Sequence, residues 1–177
     1  MFFISMMVIV CIQRLMELRI AKRNEQWMIK QGAYEAGASH YPFMVILHVS
    51  FFLSIITEVI LFDRTLSPLW LPLFILFFLT QAARAWCLLS LGRFWNTKIL
   101  VLPGVKVIRR GPYKYARHPN YIVVALEILI LPLLFQAYYT MIFFSLLNLI
   151  MLSVRIPAEE RALVDSTNYK QVFSKPK

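Results

Sequence analysis

Charge is scarce in this 177-residue chain, and acid is the scarcer sign. Charged residues make up 16% of it, against roughly 25% in an ordinary soluble domain. Nine are Asp or Glu and 19 are Lys or Arg, so the net charge is +10. Five glycines and nine prolines are too few for a collagen-like or low-complexity chain. The two cysteines, Cys11 and Cys87, both lie inside apolar runs. They offer neither zinc spacing nor a disulfide framework and read as small buried apolar residues. There is no internal repeat and no Ser/Gly linker. What is abundant is apolar side chain. Hydrophobic residues make up 59%, with 14 Phe, and the mean hydropathy is +0.64. This excludes a disordered chain and argues against a plain soluble globule. A chain both apolar and basic reads as an integral membrane protein with basic loops. Nucleic acid is not the expected partner, because the charge interleaves with membrane-length apolar runs and no RNA- or DNA-binding motif accompanies it.

A helix that crosses a bilayer needs roughly 20 apolar residues. The first candidate runs from Met1 to about Ile20. Its positive charges follow the apolar stretch and no small-residue cleavage site is evident, so it reads as a retained helix rather than a signal peptide. Further spans are expected at about Tyr41–Phe62 and Pro68–Leu91. Two short apolar runs, Tyr121–Phe135 and Tyr138–Val154, are joined by Gln136-Ala137. So tight a joint makes them the arms of a helical hairpin, with Pro132 bending or ending the first arm. The predicted fold is therefore all-α and polytopic, with about five transmembrane helices including the short C-terminal hairpin. Three helices fill residues 1–91. The remaining half, 92–177, holds a 28-residue loop (Gly92 to Pro119), the hairpin and a 22-residue tail (Ile156 to Lys177).

Basic residues set the expected orientation. Lys22, Arg23 and Lys30 follow the first span. Seven more, from Arg93 to Arg117, fill the long loop with no acid among them. Arg155, Arg161, Lys170, Lys175 and Lys177 follow the last span, while the opposite side has only Arg64. Fifteen against one places the N-terminus outside and the long loop and tail in the cytoplasm. The same charge attracts anionic headgroups. Polar groups within the spans are costly in lipid and are functional candidates by default. Of these, Arg14 and Glu17 suit a local i, i+3 ion pair. Arg84 is expected to snorkel, and Glu58 to lie at the outer interface. His48 and Glu127 stay open.

Two segments carry the chemistry. The first is GPYKYARHPNY, residues 111–121. Gly111-Pro112 makes a turn, and Pro119 suits the first turn of a helix. Open N–H groups there, together with Arg117, suit an anion, and His118 adds a donor that is neutral or charged near pH 7. The second is RIPAEER, residues 155–161. Pro157 reads as the start of a new helix with Glu159 and Glu160 in its first turn, where the dipole favours acids. A zwitterion with an extra cationic centre satisfies both segments: Arg155 faces its anion and the glutamates its cations. S-adenosylmethionine, with carboxylate, ammonium and sulfonium, is such a molecule.

The order GPYKYARHPNY, short apolar hairpin, RIPAEERAL and a later Tyr169 resembles the isoprenylcysteine carboxyl methyltransferase family over roughly residues 92–173. Ala38-Ser39-His40-Tyr41-Pro42 and Gly92 to Lys98 add the texture of its prokaryotic members. The resemblance implies that Arg117, His118 and Tyr121 line an S-adenosylmethionine pocket with Tyr113 and Tyr115 close by. It implies that Glu159 and Glu160 close that pocket from the tail and that Arg155 stands near the reacting groups, with Glu159 a second catalytic candidate. No metal is implied. The chain departs from the family pattern at Ile122-Val123, Gln136-Ala137 and Ser166-Thr167-Asn168, which bears on the substrate more than on the cofactor.

The expected activity is methyl transfer to a lipophilic oxygen acid. The acceptor is either a long-chain alkylpyrone- or alkylresorcinol-like enol, the case the prokaryotic resemblance suggests, or a prenylcysteine-type carboxylate. An ionised acceptor needs no general base, only a positioning partner such as Arg155 or Arg84. Three other readings stand beside it: an NADPH-dependent membrane reductase of the sterol-reductase type, which shares the RHPNY texture, a phospholipid N-methyltransferase, and a non-enzymatic membrane scaffold.

Overall fold

The structure, a computed structural model, describes residues 1–173. Lys175 and Lys177, two of the tail charges counted above, lie outside the described residues. The chain is mostly helical. Its elements are α1 (Phe2–Lys30), β1 (Tyr34–Ala36), α2 (Tyr41–Leu61), α3 (Trp70–Leu91), β2 (Ile99–Val101), α4 (Pro119–Leu134), α5 (Tyr138–Ser166) and α6 (Tyr169–Phe173). Among the described residues, three helices are long and apolar enough to cross a membrane: Ala38–Leu61, Trp70–Phe94 and Tyr138–Ser166. With these helices the protein is an integral membrane protein. The other two expected spans are present as helices of a different kind. α4 is apolar but has 16 residues, and α1 carries charge from Arg14 onward and runs to Lys30.

Two compact units are built from interleaved segments: Ser39–Ser90 with Arg110–Pro157, and Met1–Ala38 with Leu91–Arg109 and the described residues from Ala158 on. In the first, the hairpin forms as the sequence predicts. α4 ends just after Pro132, Gln136 turns with φ +57°, and Ala137 is fully buried at the joint. The Gln136 side chain donates to the Thr65 and Leu66 carbonyls at 3.3 Å, and the Ser67 amide donates to the Leu134 carbonyl at 3.0 Å. α2 and α5 run antiparallel. The Phe51 and Phe144 rings meet edge to face, their centroids 5.6 Å apart, and the Ser54 and Thr140 hydroxyls are 2.8 Å apart.

The second unit corrects the all-α expectation. β1 and β2 pair antiparallel, with Tyr34 opposite Val101 and Ala36 opposite Ile99. Ile99 and Val101 bury their side chains against Ala162, with Ala158 and Leu163 packed alongside. This contact also explains why Pro157 starts no new helix and instead lies inside α5. A proline in a helix interior costs about 3 kcal/mol. Good helix formers follow it in Ala158 to Leu163, and their burial on β2 offsets the loss. Lys98, just before β2, donates to Glu25 at 2.8 Å and to Glu35 at 2.9 Å. These hydrogen bonds, to Glu25 first and Glu35 second, hold its ammonium pKa above the ordinary lysine value. The Asn24 side chain donates to the Gly92 and Trp95 carbonyls at 3.2 and 2.7 Å.

Candidate functional site

The Gly-Pro turn has a steric cause. Gly111 has φ +57°, and a Cβ there would collide with the Ser90 side chain and reach 3.0 Å from Trp86 Nε1. The Arg110 guanidinium donates to the Ser90 carbonyl at 2.6 Å. The segment that follows is thus seated on α3. Pro112 and Tyr113 are buried, and the Tyr113 hydroxyl is hydrogen-bonded to the buried Cys87 thiol. Cys87 is the small buried residue its sequence suggests.

Pro119 opens α4, as expected, with His118 at the N-cap and no capping bond from its side chain. The Tyr121 amide closes on the His118 carbonyl at 3.1 Å. That bond leaves fewer open N–H groups for an anion than the sequence suggests. The ring of His118 instead stacks on Tyr121, with centroids 5.5 Å apart and planes 23° apart. Arg155, 3% exposed, sets its guanidinium over the other partner of that stack, 5.9 Å from the Tyr121 ring centre. A cation facing an aromatic ring in a water-poor setting is a favourable arrangement. His118, Tyr121 and Arg155 come from segments more than thirty residues apart and meet here in one unit.

Other expected site residues are placed differently. Tyr115 is 83% exposed, and Arg117 is exposed as well. Glu159 and Glu160 are half-buried on α5, four and five residues beyond Arg155. Glu160 accepts from the Tyr169 hydroxyl at 3.0 Å, so the later aromatic residue of the motif has a defined partner.

The polar residues within the helices are mostly closed off. Arg14 pairs with Glu17 at 2.6 Å, the expected local pair. His48 Nδ1 lies 2.8 Å from the Met44 carbonyl one turn back. Arg84 does not snorkel. At 6% exposure it forms a buried ion pair with Glu127, where Nε donates to Oε1 at 2.9 Å, and Gln81 donates to the same oxygen at 2.7 Å. Glu58 is buried within the protein and accepts the Tyr139 and Thr140 amides at 3.2 and 2.7 Å, which satisfies open donors at the start of α5. Four polar atoms of residues given no role above are buried without a hydrogen-bond partner among the described residues: His40 Nδ1, Trp95 Nε1, Asn120 Oδ1 and Ser145 Oγ. Asn120 lies inside the RHPNY motif and His40 in the Ser-His-Tyr-Pro opening of α2. Those short motifs are the signals that mark them. Among the described residues no group of three or more His, Cys, Asp or Glu is arranged to hold a metal.

Known proteins similar to this chain identify its family. The chain is 51% identical over 161 residues to the uncharacterized protein YpbQ of Bacillus subtilis, covering 91% of this chain and 96% of that one. It is 33% identical over 155 residues to an uncharacterized protein of Haemophilus influenzae, covering 85% and 88%. Residues 70–165 match the model of the isoprenylcysteine carboxyl methyltransferase (ICMT) family, a stretch that begins at α3 and contains both motifs and the hairpin. With half of the chain matched and these relatives aligned over most of their length, the protein belongs to the isoprenylcysteine carboxyl methyltransferase family.

Proposed function

We propose that this protein is an S-adenosylmethionine-dependent O-methyltransferase acting on a lipophilic oxygen acid drawn from the membrane. The observation that carries the reading is the junction of Tyr121 and Arg155. It unites the RHPNY and RIPAEE motifs around a buried cation and an aromatic face. The donor set suits the cofactor. Arg155 offers a cation for a carboxylate, Tyr121 and His118 offer ring faces, and Asn120 Oδ1 is a buried acceptor with no hydrogen-bond partner among the described residues. Tyr113 belongs to the same segment. Glu159 and Glu160, which follow on the same helix, are the carboxylates for the cofactor's cationic groups, and Arg117 is a further cation of the cofactor motif.

The bound cofactor supplies an electrophilic methyl group. The chain's own residues hold the acceptor oxygen in line with that group and keep bulk water out. Arg155 positions the oxygen by a charge-assisted hydrogen bond. A long-chain alkylpyrone or alkylresorcinol fits a lipid-accessible acceptor path, and a prenylcysteine-type carboxylate is the second acceptor class. The excess of basic residues in the loops supports an N-terminus outside and a site on the cytoplasmic side.

Calorimetry of detergent-purified protein tests the reading, with S-adenosylhomocysteine and NADPH as parallel titrants. Saturable binding of S-adenosylhomocysteine without NADPH is the expected result, followed by labelled methyl transfer into a long-chain 4-hydroxy-2-pyrone. NADPH binding alone would establish a reductase. Binding of neither by folded protein would leave a scaffold, and transfer to an amine headgroup would make it a phospholipid N-methyltransferase.

A further inference from the structure

The antiparallel register of α2 and α5 can be followed along its length. Glu58 meets the amides of Tyr139 and Thr140, Ser54 meets Thr140, and Phe51 meets Phe144. From that last pair, His40 lies eleven residues back along one helix and Arg155 eleven residues forward along the other. Both helices rise about 1.5 Å per residue, so the register brings His40 level with Arg155.

His40 occupies the N-cap of α2, yet its side chain makes no capping hydrogen bond. Its Nδ1 is buried and has no hydrogen-bond partner among the described residues. Buried polar atoms are nearly always satisfied, and an exception asks for a reason. Serine, threonine, asparagine or aspartate would cap this helix better. A histidine placed here, its ring nitrogen unused and level with the buried guanidinium of the candidate site, has the properties of a group reserved for a ligand.

We propose that His40 is a catalytic residue facing the methyl acceptor, its Nδ1 hydrogen-bonding the acceptor hydroxyl and taking its proton as the oxygen is methylated. The inference rests on the methyltransferase reading above. In the step, the acceptor O–H bond breaks and its proton passes to Nδ1. An O–CH3 bond forms while the methyl–sulfur bond of S-adenosylmethionine breaks. Sulfur keeps that electron pair, giving S-adenosylhomocysteine and a methyl ether. Arg155, at the same level, holds the negative charge that develops on the oxygen. The class of acceptor follows. It is a long-chain phenol or enol that still carries its proton at neutral pH, rather than a carboxylate, which has none to give.

The test pairs two acceptors of equal chain length with wild-type, His40→Ala and His40→Gln proteins. One acceptor is a 5-alkylresorcinol, whose hydroxyl ionises near the tyrosine range, about 10. The other is a 4-hydroxy-6-alkyl-2-pyrone, already ionised at neutral pH. S-adenosylhomocysteine affinity is measured by calorimetry for all three proteins. The expected result is a loss of about 100-fold or more in resorcinol turnover for both variants. Pyrone turnover falls by less than about tenfold, and S-adenosylhomocysteine binds as in wild type. Equal losses on both acceptors, or wild-type turnover by His40→Gln, would overturn the proton role. Loss of S-adenosylhomocysteine affinity in both variants would assign His40 to the cofactor instead. A wild-type protein that methylates neither acceptor would overturn the underlying reading and this inference with it.

Discussion

The two ends of the α2–α5 pair use the same helices and treat their polar groups in opposite ways. At one end Glu58 is fully engaged. Two backbone amides of α5 donate to it, and Arg64 stands 3.5 Å away among the rings of Phe62, Tyr138 and Tyr139. At the other end the His40 ring nitrogen is buried with no hydrogen bond among the described residues, and Arg155 lies over an aromatic ring. A closed polar cluster holds helices together, because each group is worth more paired than exposed. A cluster with an unused atom gives up some of that stability and retains the capacity to bind. The buried Arg84–Glu127–Gln81 cluster belongs with the closed kind.

Mutation distinguishes the two kinds by what is lost. The largest stability effect is expected from Glu127→Ala, which strands the Arg84 charge. Breaking one partner of a buried pair costs about 3–5 kcal/mol, so the apparent unfolding temperature in detergent should fall sharply. An Arg84→Leu/Glu127→Leu double variant should recover much of that loss. Arg155→Lys should behave oppositely, with turnover falling about 100-fold, some 2.7 kcal/mol, and little change in unfolding. A comparable fall in stability for Arg155→Lys would erase the distinction. Next comes Glu58→Ala, which leaves two amide donors unpaired. A loss of about 2 kcal/mol in denaturant unfolding is expected, with S-adenosylhomocysteine affinity unchanged.

The smallest effect lies outside this pair. Lys98 is held charged by Glu25 and Glu35, so its folded pKa exceeds the unfolded one. The stability it contributes is therefore fully present below the unfolded value and lost only as pH rises through the folded one. Lys98→Met should cost under about 1 kcal/mol, by an amount that stays flat between pH 6 and 9 in parallel unfolding curves.

The hairpin was legible in the chain. Two apolar runs of helix length, a two-residue joint and Pro132 leave few alternatives, and the bounds of α4 and the start of α5 fall close to those expected, whereas α5 runs on past Val154 to Ser166. Both site motifs were legible too, because Gly-Pro, His-Pro and paired acids stand out against an apolar background. The strands were not legible. Tyr34–Ala36 and Ile99–Val101 are three residues each, too short for a period to show, and their pairing joins segments some sixty residues apart. Pro157 misled because proline is a local signal for a boundary, and the burial of Ala162 on β2 is not local. His40 escaped notice for the same reason. Nothing in its own neighbourhood reveals what lies across from it.

Local chemistry thus settled the class of this protein. The lengths of the apolar runs, the sign of the loop charge and the composition of two motifs follow from residues close in sequence, and each acts through a short-range cause. Which polar groups are spent and which are held ready depended on the register of α2 against α5, and on the seating of Gly111 on Ser90. Those arise from contacts between distant segments, where burial and hydrogen-bond partners are fixed only once the helices have packed.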